Sequence, residues 1–316
     1  MSSLDLEDFS ITSVSGAIRR AGAVRPANPL GPLAALAGTW KGSGFNQIWR
    51  PFHGTQDRFL ELNETTETLQ FIEIPGDIPN RGLLQDDIEL HGLTYLQRIN
   101  DANVKQGGKP AGIHIEPGIW ISIPSTANPA DPATVARLAN IPHGTSIVAQ
   151  GSASTAAGAP TFAPVSITPF VIAPPNKPVP FPESNLSVAS AFRTAAADIP
   201  HVTQAMVDNP NAFLAAGIAG KTVRSTTTLS ISTVPLNPPT SGGGPANIAF
   251  LVGDAGGPNA SAVRIDATFW IEEILEAGGG VRHQLQYTQR VLLNFNGLSW
   301  PHVSVATLTR QMQDAR

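Results

Sequence analysis

RHQLQYTQRVLLN, residues 282–294, is followed by a turn at Asn296-Gly297 and then by PHVSVATLTR, residues 301–310. Apolar and polar side chains alternate through both segments, which is the pattern of β-strands that bury one face. We therefore predict an antiparallel hairpin. Its first strand places His283, Leu285, Tyr287, Val291, Leu293 and Phe295 on one face, and its second strand places His302, Ser304, Ala306 and Leu308 on one face.

His302 is the candidate functional residue of this hairpin. It opens the second strand, and its neighbours on the same face, Ser304 and Ala306, are small. Small neighbours leave room for a ligand beside the imidazole ring. The simpler alternative is a histidine exposed to solvent at the edge of the sheet.

The same alternation recurs through most of the chain, in segments joined by short turns. About ten such segments without intervening long helices indicate an all-β fold, an antiparallel up-and-down β-barrel of the lipocalin type or a strongly curled sheet. The predicted strands span residues 39–51, 58–66, 67–74, 87–98, 113–124, 133–140, 145–152, 221–234, 248–252, 262–276, 282–294 and 301–310.

The predicted domain organisation is simple. Residues 1–29 form a leader with little pattern, and residues 30–316 form one barrel domain. A short apolar helical turn near Leu33 is expected to close one end of the barrel. The Ala/Pro/Thr-rich segment at about 153–220 interrupts the strands, and we expect two short helices in it, over residues 185–197 and 201–216.

The composition excludes several classes of function. Charged residues make up only 14% of the 316 residues and the net charge is −4, so we expect no nucleic-acid partner. The absence of cysteine excludes disulfides, thiolate nucleophiles and iron–sulfur clusters. No apolar run has the length of a membrane span and the acidic N-terminus lacks a signal core, so we expect a soluble cytoplasmic protein with no membrane partner. The long Pro-rich loops allow a homodimer.

Four short blocks resemble one protein family. The block Gly38-Thr39-Trp40-Lys41-Gly42-Ser43-Gly44 resembles the G-x-W-x-G-x-G signature of the nitrobindins, which are haem-binding antiparallel β-barrels. Residues 113–118 (IHIEPG) resemble the family's H-x-E-x-G strand, and residues 137–144 resemble its apolar strand and x-P-x-G turn. Residues 301–308 resemble the closing strand that carries the axial histidine of the iron. The family's members are roughly half as long as this chain, so the segment at 153–220 lies outside the resemblance.

The resemblance implies a function for the barrel. It implies a ferric haem b whose iron is bound by His302, with the block Gly38, Trp40, Gly42 and Gly44 at the cofactor and His143 near the distal side. The implied chemistry is reaction with NO or isomerisation of peroxynitrite to nitrate, and no catalytic residue is indicated. His114 and Glu116, two residues apart on one strand, are expected to form a hydrogen-bonded pair at the surface.

Two alternatives stay open at this point. The chain is either a haem-free barrel that carries a fatty acid or another apolar small molecule, or a haem enzyme that acts on an organic substrate with the 153–220 segment as a lid. A barrel lining suits both kinds of ligand, so the sequence does not separate them.

Overall fold

The fold is a closed barrel of ten long antiparallel strands, seen in a computed structural model that describes residues 28–234, 243–253 and 256–311. The strands pair in chain order and the last pairs with the first. This confirms the predicted up-and-down barrel with a mid-chain helical insertion. The strands are β1 (Gly38–Pro51), β2 (Arg58–Glu73), β3 (Ile88–Gln106), β4 (Lys109–Ile123), β5 (Thr134–Ile141), β6 (Thr145–Ala157), β7 (Thr222–Ser232), β8 (Ser261–Leu275), β9 (Val281–Phe295) and β10 (Leu298–Arg310).

The predicted C-terminal hairpin is confirmed as β9 and β10. Asn296 and Gly297 join the strands with φ angles of 48° and 72°, a left-handed conformation that Asn and Gly adopt most readily. Leu285 and Tyr287 of β9 belong to the barrel core, and so do Ala306 and Leu308 of β10. The alternation therefore predicts the faces of these residues correctly, but Phe295, expected in the same inner set, stacks on Trp300 instead of joining this core.

The seam between β1 and β10 closes the barrel, with pairs running from Trp40–Arg310 to Ile48–His302. Gly42 lies on this seam, where a Cβ atom would come 2.1 Å from the carbonyl oxygen of Thr307. Glycine at this position therefore lets the two backbones approach each other.

One half of the barrel interior is tightly packed, and we call it the closed half. A 3-10 helix (Gly31–Leu36) caps it with Leu33 and Leu36, both fully buried, which agrees with the predicted apolar turn. The Trp40 indole N–H donates to the carbonyl of Leu36 at 2.7 Å. Trp120 packs edge-on against Phe269 with ring centroids 5.2 Å apart, so aromatic rings fill this end.

The insertion between β6 and β7 covers part of the outer wall. Its two α-helices are α1 (Gln204–Asp208) and α2 (Asn211–Ile218), and α2 contacts β9 and β10. A second apolar cluster forms beneath it from outward-facing side chains, so part of the wall is buried on both faces. Its barrel members include Phe45, Trp49, Leu60, Leu62, Trp270, Trp300, Val303 and Val305.

The predicted helix over residues 185–197 is wrong. Arg193 is buried, and its guanidinium donates to the backbone carbonyls of Glu183, Asn185 and Val188. The backbone of Arg193 lies beside Leu60 of β2. The Leu60 N–H donates to the carbonyl of Phe192 at 2.9 Å, and the Thr194 N–H donates to the carbonyl of Leu60 at 3.1 Å. These long-range contacts hold the segment extended or in turns. The predicted helix over 201–216 is present as the two helices α1 and α2, which Pro210 separates.

Two strand predictions are also wrong. The two strands expected at 58–66 and 67–74 form the single strand β2. The strand expected at 248–252 is absent, and Gly244–Asn247 pairs with β6 instead. The antiparallel register runs from Gly244–Val148 to Asn247–Thr145, so residues 248–252 continue past the first residue of β6 and have no strand to pair with there. Phe250, Leu251 and Val252 are consequently exposed in a loop.

Two further expectations concern the N-terminal leader and membrane-spanning segments. The leader expected at residues 1–29 lies outside the described residues, apart from Asn28 and Pro29. Among the helices of the described chain, none combines the length and the apolar character that crossing a membrane requires.

Candidate functional site

His302 lies near the end of the barrel opposite the cap. It pairs with Ile48 of β1 and Val291 of β9, and alternation along β10 places its ring on the inner face with Ala306 and Leu308. Within the described part of the chain the ring makes no hydrogen bond and no ion pair. The pKa of His302 is lowered to about 3, mainly by burial and to a smaller extent by the nearby His114 and His143. The imidazole is therefore neutral at neutral pH, with a lone pair available.

Three histidines from different elements come together at this open end. His114 lies on β4, and His143 lies in the turn between β5 and β6. Their ring centroids are 6.1 Å apart, and both are close enough to His302 to influence its charge. We call His114, His143 and His302 the histidine mouth. Of the predicted site residues, the structure thus brings His302 and His143 together and adds His114.

His114 is oriented by a carboxylate beneath it. Its Nε2 lies 3.3 Å from Oε2 of Glu116. The expected surface pair is corrected here, because Glu116 is fully buried inside the barrel and only His114 reaches the mouth. A buried carboxylate bonded to one ring nitrogen holds the imidazole of His114 in a fixed orientation.

Glu116 is held ionised by a cation from the neighbouring strand. The Arg137 guanidinium and the Tyr95 hydroxyl both donate to its Oε1, and Arg137 Nη1 donates to Gln289 Oε1 at 2.7 Å. Burial alone would raise the pKa of Glu116, but the charge of Arg137 and the hydrogen bonds of His114 and Tyr95 hold it at about 2. Glu116 is therefore a permanent anion, and the same anion raises the pKa of Arg137.

A second buried carboxyl lies deeper and has no cation bonded to it. Glu67 accepts from Tyr287 OH at 2.6 Å and from Thr65 Oγ1 at 2.9 Å, while Gln97 bonds the Tyr287 oxygen at 2.9 Å. Burial raises the pKa of Glu67 to about 7, and these neutral donors only partly oppose it. The polar side chains that cross the lumen are together called the polar belt: Glu67, Tyr95, Gln97, Glu116, Arg137, Tyr287 and Gln289.

Two buried amide oxygens near the mouth have no partner among the described residues. They are Asn46 Oδ1 and Asn63 Oδ1, from residues that are 3% and 6% exposed. Asn46 pairs with Asn63 and with Ser304, two positions from His302 on β10. Asn63 uses its Nδ2 group to donate to Asp101 at 2.9 Å. Unsatisfied buried acceptors are costly, so they indicate a place for a water molecule or for a donor on a ligand.

A cleft of about 360 Å³ opens at the same end of the barrel. Its lining reaches Glu61, which shares a row of the sheet with Ile48 and His302. Residues 193–198 of the insertion cover one side of it. The lining is mixed and not apolar, contrary to the expectation for a fatty-acid carrier. It contains Arg50, Phe59, Glu61, Asn63, Asp101, Val104, Ala111, Ile113, Arg193, Thr194, Ala195 and Asp198.

The glycine block lies further from His302. Trp40 pairs with Arg310 at the far end of β10, within the closed half. Gly38 has φ 118° beside the Arg310 side chain. A Cβ atom on Gly44 would lie 2.5 Å from Oε1 of Glu67, so the glycine makes room for the polar belt. The contacts seen for this block are contacts with protein atoms.

Sequence reasoning missed most of the polar belt. The available signal was Arg137, which occupies an inward position between Val135 and Ala139 in an otherwise apolar strand. An arginine at such a position needs a buried anion. The partner, Glu116, is on another strand, and the alternation of one strand does not identify it.

No group of three or more His, Asp or Glu side chains within residues 28–234, 243–253 and 256–311 is arranged to hold a metal ion. A metal bound by His302 would therefore take its other ligands from a cofactor. Comparison of the chain with protein-family models, with curated proteins and with solved structures finds no match.

Proposed function

We propose that this protein binds haem b at the histidine mouth, with His302 as the axial ligand of the iron, and that the bound haem reacts with NO or peroxynitrite. The observation that carries the proposal is the His302 ring, which is neutral, directed into the lumen and without a partner in the described chain. A neutral imidazole is the nitrogen ligand that haem iron takes in many proteins.

The residues around His302 fit such a group in two further respects. The open end has a cleft, whereas aromatic rings fill the closed half. The unpaired oxygens of Asn46 and Asn63 lie close to the row of His302 and offer acceptors to a ligand or its water. When bound, haem supplies an iron centre that coordinates NO and peroxynitrite.

The other residues of the mouth position the reactants. Glu116 holds Nε2 of His114, so this ring has a fixed orientation at the mouth. His143 is exposed in its turn, with its ring 6.1 Å from that of His114. The polar belt separates the mouth from the apolar core, so polar ligands meet hydrogen-bonding groups and not bare hydrocarbon.

The haem-free carrier is less well supported. A fatty acid needs a long apolar cavity, but Trp40, Trp120 and Phe269 occupy the apolar half of the lumen, and the cleft at the other end has charged walls. A haem enzyme that acts on an organic substrate shares the same His302 site and differs only in what reaches it.

The first test is titration of the full-length protein with haemin, followed by the Soret band. We expect stoichiometric binding and a shifted Soret band for the wild type, loss of the shift in His302→Ala, and its recovery when free imidazole is added to that variant. His283→Ala is the matched control, because His283 also lies on an inner face but near Glu273 at the other end. An unchanged spectrum in His302→Ala would reject His302 as the ligand.

The second test addresses reactivity. Stopped-flow absorbance at the peroxynitrite band should show faster decay with haem-loaded wild type than with the same concentrations of haemin and His302→Ala mixed together. Equal decay rates in the two samples would retain haem binding and remove the proposed activity.

A further inference from the structure

A second cavity lies on the outside of the barrel, separate from the histidine mouth. It has a volume of about 390 Å³ and lies between the outer faces of β7, β8 and β9 and residues 161–165 of the insertion. Rows of outward side chains form its floor, since Ser232 pairs with Asp266 and Asp266 with Arg290, while Ser230 pairs with Thr268 and Thr268 with Thr288. We call this cavity the outer groove.

Two arginines and one aspartate make the outer groove cationic. Asp266 accepts from Arg264 Nε at 2.9 Å and from Arg290 Nη2 at 2.9 Å. The three side chains together carry one net positive charge. The terminal nitrogens of Arg264, and Nε and Nη1 of Arg290, have no hydrogen-bond partner among the described residues. One carboxylate therefore orients two guanidinium groups and leaves several of their N–H donors free.

The floor adds hydroxyl donors beside these guanidinium groups. Thr288 and Ser232 are already bonded, to Asn211 and Asp266 respectively. Ser230 and Thr268 line the cavity, and their hydroxyls have no partner within the described chain. Their positions on adjacent strands place both hydroxyls in one row.

The walls of the outer groove are apolar away from Arg264 and Arg290. Ala163 and Val165 come from the insertion, and Trp270 comes from β8, one row beyond Thr268. A ligand in this groove would therefore meet cationic donors at one end and an indole at the other. That combination suits an organic molecule with one acidic group better than a bare inorganic ion.

We propose that the outer groove binds a small organic oxyanion, a carboxylate or a phosphate monoester, through Arg264 and Arg290, with the Ser230 and Thr268 hydroxyls as additional donors. Arginine pairs with both kinds of oxyanion through parallel N–H donors, so the shared chemistry is the anionic group. The site is independent of haem, because its residues lie on the opposite face of the barrel wall from His302.

The test is isothermal titration calorimetry on the full-length protein with benzoate and with phenyl phosphate as separate probes. We expect saturable binding of at least one probe, and the stronger of the two identifies the preferred acidic group. Arg264→Gln and Arg290→Gln should each weaken it by tenfold or more, the order expected when a hydrogen bond to a charged group is lost. Thr268→Val, which leaves both arginines in place, should weaken it by a smaller factor.

Two controls separate this proposal from folding defects and from the haem site. Arg224→Gln removes another arginine from an ion pair of the same strands, with Glu273, outside the groove, and should leave binding unchanged. His302→Ala should abolish the haem shift and leave probe binding intact. Absence of saturable binding by both probes, or equal affinities in wild type and in the folded Arg264→Gln and Arg290→Gln variants, overturns the proposal.

Discussion

The closed half and the histidine mouth are built from the same ten strands but in opposite ways. In the closed half, fully buried rings such as Trp40 and Trp120 form one apolar cluster with the cap of residues 31–36. The mouth combines a neutral imidazole and amide oxygens that have no partner among the described residues with two further histidines and a solvent-facing cleft. The polar belt lies between them.

The difference predicts that the closed half provides most of the stability, whereas the mouth holds the groups that the proposed function uses. Burial of large apolar surfaces dominates the free energy of folding, whereas unpaired polar groups at the mouth reduce it. A protein retains such groups where binding needs them. Substitutions in the two halves should therefore separate stability from ligand binding.

The largest expected effect is that of Trp40→Ala in the closed half. Removing the indole leaves a cavity and leaves the Leu36 carbonyl without its donor, so the free energy of unfolding should fall by about 3–5 kcal/mol. Urea denaturation measures it. Haemin binding by the folded variant should be unchanged, and Phe250→Ala, an exposed aromatic control, should change stability by no more than about 0.5 kcal/mol. Loss of haem affinity in folded Trp40→Ala would remove the distinction between the two halves.

Arg137→Met tests the polar belt and should cost about 3 kcal/mol of unfolding free energy. Methionine fills most of the volume, but it leaves the Glu116 carboxylate buried without its cation. The matched control is the double variant Arg137→Met with Glu116→Gln, which removes both charges. It should recover much of the loss, and a double variant as unstable as the single one would show that packing and not charge is the cause.

The smallest of the three effects is the pH dependence due to Glu67. Its folded pKa of about 7 exceeds the ordinary 4.5, so the native state binds the extra proton. The stability it contributes is complete below pH 4.5 and is lost as the pH rises through 7, by about 3 kcal/mol at most. Glu67→Gln should flatten this slope, because an amide does not titrate, and its oxygen can still accept from Tyr287 and Thr65.

Glu272 requires a correction to that measurement. Burial raises its pKa to about 8, so it contributes a slope in the same direction. The quantity to compare is therefore the difference between wild type and Glu67→Gln in unfolding free energy at pH 5 and at pH 8. A difference that does not change with pH would show that Glu67 titrates in its ordinary range.

Much of the barrel could be predicted because it depends on local alternation. The inward set on β9 and β10, including Tyr287 and His302, follows from period-two spacing and the Asn296-Gly297 turn. The segment around Arg193 could not be predicted, since its extended form depends on a partner in β2. Alanine-rich sequence favours a helix only where no such contact competes.

The site was predictable only in part, for a similar reason. His302 and His143 belong to recognisable blocks, but the burial of Glu116 depends on Arg137, which sits on the next strand. Gln284 and Gln286 alternate with the inward residues of β9 and so lie on its outward face, yet the insertion buries both. Gln286 Nε2 donates to Leu214 O at 2.9 Å, and Lys221 Nζ donates to Gln284 Oε1 at 2.5 Å. The alternation of a sequence shows which side chains share a face of a strand, but it does not show which other segment packs on that face.

The seam between β1 and β10 has a consequence for the amount of the protein in a cell. Its partners are far apart in sequence, and such contacts form late in folding because chain entropy opposes them until other contacts exist. His302 lies on this seam, so only chains in which β10 has paired with β1 can keep a ligand bound there. A ligand that binds only the closed barrel shifts the folding equilibrium toward the folded protein, and so protects the protein from degradation. Under the proposed function, the amount of this protein should therefore rise and fall with the supply of haem.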